Sequence, residues 1–396
     1  MNKQVFKLLV GVIGFCGTSI MAQSLATPNR TLPSSVLAPP VISGFLHFDT
    51  SLVDSDGFDG NAAHHLRRIR TEFNGRINPN TTYRVNVEYA EGSVRLLDGH
   101  VDLVVGKQWS FRAGKFKFPV GLELLQTPTN LLQSEFGITT LLVPNRDNGV
   151  QLTGQFDWGS IQLAVMDGAQ DAGQLDSDSD ANRATVARVM LRPFGTPNIQ
   201  FGLGASTEQR IGGSMARIQP RYRPAILEYV TTTTPATTAM PDGLFSRLAP
   251  QFYWMAGPLG IMGETVISEQ SLKLGAVSSG LRHVGTQVSL QYYVTGESAS
   301  YGVVNPLVPF IPESDQWGAW QLTARWQSAS FDESAASRGL VLSRSSQSYQ
   351  SVSLGVNWLW NESVKWLLTA ERVESNSYAN VKKETVFVDL RLQVKY

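Results

Sequence analysis

From Thr385 to Tyr396 the chain alternates. Val386, Val388, Leu390, Leu392, Val394 and Tyr396 share one parity; Thr385, Asp389, Arg391, Gln393 and Lys395 share the other, with Phe387 as the exception. Side chains two apart lie on one face of a strand, so this segment predicts a strand with one apolar and one polar face. The pattern recurs. Val352, Leu354, Val356, Trp358 and Trp360 alternate with Ser353, Gly355 and Asn357. Val150, Leu152, Phe156 and Trp158 alternate with Gln151, Thr153, Gln155 and Asp157; Tyr83, Val85, Val87 and Tyr89 with Arg84, Asn86 and Glu88; Trp320, Leu322, Ala324 and Trp326 with Gln321, Thr323 and Arg325. Aromatic residues gather at the ends of the apolar sets. Tyr and Trp favour a bilayer interface, where the ring is half-buried and its polar atom wet.

The connections alternate as well. Short turns are expected at 78–80, near 158–160, at 194–197, at 257–258 and at 361–362. Long loops are expected near 50–63, 119–147, 168–181, 208–245, 270–280, 329–349 and 374–384. Short turns on one side and long loops on the other are the pattern of outer-membrane barrels, and the parity predicts about sixteen strands, an even number. The fold class expected is all-β: a transmembrane antiparallel β-barrel with some loops folded into its lumen. Residues 297–315 break the rule. They fall on the short-turn side yet are long and hold Pro306, Pro309 and Pro312. Either that turn is elongated or the strand count slips there.

Composition narrows the class. Lys+Arg and Asp+Glu are both 33, so no bulk positive charge is available to hold a nucleic acid. A mean hydropathy of −0.10 is too polar for a helical membrane protein. Lys3 and Lys7 precede an apolar run from Leu8 to Phe15, with small or apolar residues on to Ala22. This predicts a secretory signal peptide over 1–22, although Ala26 also suits cleavage. Residues 23–40, with Pro28, Pro33, Pro39 and Pro40, read as an irregular periplasmic lead-in, and 41–396 as the barrel domain. Cys16, the one cysteine, lies inside the signal segment after the bulky Phe15, which does not suit a lipoprotein site. A closed hydrogen-bonded barrel supplies the rigidity that disulfides give other exported proteins.

Several segments resemble the phosphate-selective porin O and P family. They are Leu66-Arg67-Arg68-Ile69-Arg70 before Gly75, the run from Gly114 to Glu123 (GKFKFPVGLE), the run from Pro144 to Val150 (PNRDNGV), Ala187-Arg188-Val189, and Val294-Thr295-Gly296-Glu297. Gly318-Ala319-Trp320-Gln321-Leu322 with Arg325, and Leu354-Gly355-Val356-Asn357-Trp358, continue the likeness. The resemblance implies a homotrimeric channel of a Gram-negative outer membrane, with arginines leading anions inward. In the corresponding family loop a ladder of arginines enters the pore. Here the 208–245 loop holds Arg210, Arg217, Arg221 and Arg223; the open alternative is a solvent-exposed loop.

Parity itself places further cations in the lumen, since a charge facing lipid at the midplane costs ~2–4 kcal/mol. Arg68, Arg70 and Arg76 oppose Ile69, Thr71 and Ile77; Lys115 and Lys117 oppose Phe116 and Phe118; Arg188 and Arg192 oppose Ala187, Val189 and Leu191. Arg146 and Arg325 join this expected anion path. Each also has a bland reading as a solvated residue beside an acidic partner, for which Asp98 and Asp102 are candidates. The 119–147 loop is the expected constriction. Where the family has Glu followed by Arg, this chain has Glu135 followed by Phe136, and 124–140 hold no Lys or Arg. That departure argues for a broad anion or small-solute pore rather than a phosphate- or polyphosphate-specific one.

No GxSxG, HExxH, phosphate-cradling glycine loop or CxxC occurs, so no enzyme, metal site or cofactor is expected. His64 and His65 would point to opposite faces of a strand, against joint metal binding. The terminal Tyr396 is expected to close the barrel, its strand to engage the barrel-assembly machinery, and the outer wall to meet lipid and lipopolysaccharide. A structural or adhesive barrel with a closed lumen is the alternative function.

Overall fold

A computed structural model describes residues 39–55, 63–90, 92–173, 182–212, 218, 227–233 and 237–396. The expected signal peptide, most of the lead-in, and Arg217, Arg221 and Arg223 lie outside the described residues. In chain order the strands are β1 (Val41–Ser55), β2 (Ala63–Asn78), β3 (Thr81–Glu88), β4 (Arg95–Val105), β5 (Trp109–Lys117) and β6 (Arg146–Phe156). Next come β7 (Gly159–Met166), β8 (Ala184–Leu191), β9 (Ile199–Ile211), β10 (Met240–Ala256), β11 (Leu259–Leu274) and β12 (Val277–Tyr293). The last are β13 (Phe310–Ile311), β14 (Gln316–Trp317), β15 (Ala319–Ser330), β16 (Ser346–Leu359), β17 (Val364–Ser377) and β18 (Lys382–Lys395). All but the small β13–β14 hairpin join one closed antiparallel barrel of sixteen strands, each paired with its neighbour and β18 with β1. Closure leaves no edge strand, the condition for spanning hydrocarbon without orphaned backbone groups.

Alternation sorts the two faces as expected. On β18, Val386 and Leu390 are exposed outward, whereas Asp389, Arg391 and Gln393 are buried. Trp320, Trp358 and Trp366 stand opposite one another on β15, β16 and β17 and form an outward aromatic row near the rim of short turns. Tyr396 closes the seam. Its backbone exchanges hydrogen bonds with Gly44 at 2.9 and 3.0 Å, and its hydroxyl donates to the Arg70 carbonyl at 3.0 Å. The ring lies where a Cβ on Gly44 would sit, about 2.5 Å away, so that position needs glycine.

The connections correct the sequence reading in two places. Residues 275–276 and 378–381 are tight hairpin turns, not long loops. The polar residues around them continue the ladder: Lys273 pairs with Ser278, and Asn376 with Lys382. The strand count does not slip at 297–315. Residues 294–318 form one elongated connection on the short-turn rim, containing the β13–β14 hairpin.

Candidate functional site

The 118–145 segment runs through the lumen and is stitched to the wall. Three short 3-10 turns, Glu123–Leu125, Pro128–Asn130 and Ile138–Leu142, leave many of its backbone groups without internal partners, and buried groups of this kind must be satisfied elsewhere. Wall side chains do this. The Glu264 carboxylate accepts from Leu122 N at 2.6 Å, Glu123 N at 3.2 Å and the Thr139 hydroxyl at 2.7 Å. Gln327 accepts from Ile138 N at 2.8 Å, Asn357 donates to the Leu132 carbonyl at 3.0 Å, and the Ser134 hydroxyl donates to Asp389 at 3.0 Å. Lys117 Nζ donates to the carbonyls of Leu124, at 2.7 Å, and Gln126; Lys365 Nζ donates to Thr129 O at 3.0 Å. The loop thus contains no cation, yet wall cations grip it.

At the loop's tip three guanidinium groups converge on Glu135. Arg67 Nε donates at 2.7 Å, Arg68 Nη2 at 2.9 Å and Arg391 Nη2 at 2.8 Å. Arg391 also forks onto Asp49 at 2.7 and 2.6 Å, the planar geometry that arginine matches to a carboxylate. Burial alone would raise the Glu135 carboxyl; the charges of Arg67, Arg68 and Arg391 outweigh it and hold the group well below the usual carboxylate range. Phe136 beside it lies 5.9 Å under both Arg68 and Lys117. Arg67 was not foreseen, because strict alternation turns it away from Arg68. A β-bulge explains it: His47 pairs with Arg68 and Phe48 with Leu66, leaving Arg67 the extra residue. Bulges re-aim side chains, and here both arginines end up buried.

The other expected residues are placed unevenly. Arg70 donates to Glu88 at 3.2 Å, Arg146 to Asp98 at 2.8 Å and Arg325 to Glu123 at 3.3 Å. Arg210 lies 3.9 Å from Glu208. Arg188 faces the lumen and donates to the side-chain oxygens of Gln251 and Gln162 at 2.8 and 3.1 Å. Arg76, exposed, lies near the turn rim and Arg192 in the 192–198 turn, so neither joins the cluster at Glu135. The expected alternation around Lys115 and Lys117 fails. Phe116 and Phe118 do not face lipid; both are buried, and Lys115 Nζ donates to the Leu96 carbonyl at 3.0 Å. The pattern breaks at Gly114, whose φ of +127° and 2.2 Å approach to the Gly99 carbonyl exclude a side chain. Sequence reasoning also missed Arg247, which donates to Asp171 at 2.5 Å and Glu208 at 3.3 Å, and Glu264 and Lys365. His64 stacks on outward Phe48 while His65 lies 4.0 Å from inward Asp49, so the two histidines do part.

The lumen also holds an apolar core. Phe118, Val120, Leu124, Ile138, Leu142 and Val143 of the loop pack with inward wall residues such as Phe245, Val266, Leu281 and Phe387, and with Tyr229, Phe331 and Leu340 from other loops. Phe387, the exception to the alternation of β18, belongs here.

A closed sixteen-stranded wall, apolar outside, with an ion-paired loop across its lumen, defines an outer-membrane porin. More particularly, the chain belongs to the phosphate-selective porin O and P family, whose model matches residues 43–396. Its fold is similar to that of the outer membrane channel DcaP of Acinetobacter baumannii (TM-score 0.60, 9% identity, 90% of this chain and 97% of that one). It is likewise similar to the anion-selective porin from Comamonas acidovorans (TM-score 0.58, 9% identity, 90% and 99% covered). A trimer form of OmpT of Vibrio cholerae shares it too (TM-score 0.55, 9% identity, 91% and 100% covered). No curated protein matches by sequence. The family makes this chain a diffusion channel of the outer membrane.

Proposed function

We propose that this porin passes small hydrophilic solutes and prefers anions. The observation that carries the reading is the convergence of Arg67, Arg68 and Arg391 on the one loop carboxylate Glu135, with Asp49 beside Arg391. Rings of charged side chains set pore selectivity. Among the described residues, Lys117, Lys365 and Arg188 add positive charge with carbonyl or amide oxygens, not carboxylates, as their partners. The path proposed for anions comprises Arg68, Arg70, Arg146, Arg188, Arg210 and Arg325 with Lys115 and Lys117. Arg76 and Arg192 stand near its turn-rim mouth; Arg217, Arg221 and Arg223, outside the described residues, are added to it on the sequence alone. A broad oxyanion and carboxylate range fits better than phosphate alone, since every cation near the loop tip already has an oxygen partner.

Export by a cleaved 1–22 signal, with 23–40 as a periplasmic lead-in, rests on the sequence pattern. A homotrimer is supported by the trimer form of the Vibrio cholerae neighbour. The outward apolar wall supports contact with lipopolysaccharide, and the aromatic residue closing β18 supports delivery by the barrel-assembly machinery. No covalent chemistry is assigned. Planar-bilayer recording in asymmetric KCl tests the function: conductance steps with a reversal potential on the anion side are expected. A cation-sided potential overturns the preference, and silence favours a closed structural barrel.

A further inference from the structure

The elongated connection 294–318 does two things. Its first part enters the lumen: the Tyr301 hydroxyl donates to the Leu122 carbonyl at 2.6 Å, and its ring stacks on Tyr253 at 5.2 Å. Its second part lies against the outside of the wall. Phe310 N donates to the Trp360 carbonyl at 2.6 Å, and the Phe310 ring packs 4.9 Å from Trp358 and 5.0 Å from Trp360. Trp358 belongs to the outward aromatic row and donates from Nε1 to the Trp317 carbonyl at 2.7 Å. Hairpin β13–β14 therefore covers part of the lipid-facing belt and replaces it with its own surface.

That surface has an apolar part and a polar tip, where Glu313, Ser314 and Asp315 of the hairpin turn are exposed. Leu307 is 71% exposed and Trp317 55%, with Val308 and Ile311 also exposed. Several of its backbone donors are absent or already bonded. Pro306, Pro309 and Pro312 have no N–H to leave unpaired. Leu307 N donates to Glu297 at 3.1 Å and Phe310 N to the wall. A segment that meets lipid must have its donors satisfied or removed. A loop in water needs neither this nor exposed leucine and tryptophan.

We propose that residues 306–317 form an interfacial anchor, bedding Leu307, Val308, Ile311 and Trp317 in the acyl–headgroup boundary of the leaflet on the short-turn side. The occupant is phospholipid, because the patch is continuous with the wall that already faces lipid. Trp and Tyr at such a boundary hold a barrel at fixed depth.

The test uses the full chain with its single native cysteine removed (Cys16→Ser) and three single-cysteine variants: Leu307→Cys on the anchor, Leu354→Cys on the lipid wall and Lys107→Cys in a short turn. Each is labelled with a small environment-sensitive fluorophore and reconstituted in vesicles of phosphatidylethanolamine and phosphatidylglycerol. Heat-modifiable gel mobility checks that each barrel is folded. At Leu307→Cys, brominated acyl chains should quench strongly, as at Leu354→Cys. Iodide quenching there should fall roughly three-fold or more below that at Lys107→Cys, as for a label out of water. Iodide quenching equal to that of Lys107→Cys, without quenching by brominated lipid, places the hairpin in water and overturns the proposal. Protection from both quenchers, with Leu307→Cys cross-linking between copies, overturns it in favour of a subunit interface.

Discussion

The root and the tip of the lumen loop are held by different physics. At the root, Leu124, Ile138, Leu142 and Val143 are buried in an apolar core, and Glu264 gathers two backbone N–H groups and a hydroxyl. At the tip, the Glu135 carboxylate is held by charge-assisted hydrogen bonds from Arg67, Arg68 and Arg391. Apolar packing is insensitive to salt and to which ion passes. Ion pairs depend on the charge of every member, although burial lessens their screening by salt. The root therefore sets where the loop is, and the selectivity proposed above rests on the tip.

Breaking the root should have the largest effect. Leu142 is fully buried and packs within the space beside Gly285, so Leu142→Ala removes contacts that its neighbours cannot close. A loss of about 2–5 kcal/mol is expected for such a truncation. It should appear as a lower temperature for the heat-modifiable gel shift and as larger, noisier conductance. Next comes Glu264→Ala, which strips the partners from Leu122 N, Glu123 N and the Thr139 hydroxyl. Each orphaned group costs roughly 1–3 kcal/mol. Glu264→Gln keeps an acceptor oxygen and should fall between wild type and alanine. Equal stability of the alanine variant and wild type, by the same gel assay, would mean the clamp is not what fixes the root.

Glu135→Gln probes the tip. The apolar root should keep its melting behaviour nearly unchanged, while loss of one negative charge among the guanidinium groups shifts the reversal potential further to the anion side. The pair Arg68→Ala with Arg391→Ala should shift it toward cations. If Glu135→Gln unfolded the barrel as readily as Leu142→Ala, the division between root and tip would be wrong.

The same division marks what the sequence could disclose. Strand faces were readable because a residue placed on the lipid side declares itself by its chemistry, as the Val386 to Tyr396 set does. Loop landing sites were not, because strand periodicity does not say that 118–145 comes to rest on Glu264 and Lys365. Phe387 looked like noise in a polar face until the loops brought an apolar core to meet it. Arg391 was assigned to the correct face with no hint of its double grip on Asp49 and Glu135. Arg67 was hidden by a bulge, which shifts parity by one residue without a distinctive composition. The two mistaken loops, 275–276 and 378–381, show the converse: polar strands that extend beyond the apolar belt look like loops when hydropathy is the guide.

The smallest expected effect is a null one with a definite sign. The carboxyl of Glu135 is depressed, because its three guanidinium neighbours outweigh the cost of burial. A depressed carboxylate contributes stability that is fully present above its unfolded value, about 4.3, and is lost only as pH falls through the lower folded value. Between pH 8 and about 5 the tip should therefore stay charged and locked, since even an unperturbed carboxyl is mostly ionised there. Open-channel noise and the anion-to-cation permeability ratio of the wild type should then be flat over that range, apart from groups that Glu135→Gln leaves in place. An acid transition near pH 6 that vanishes in Glu135→Gln would show that burial wins over the arginines, and the tip would become a proton-sensitive latch instead of a fixed one.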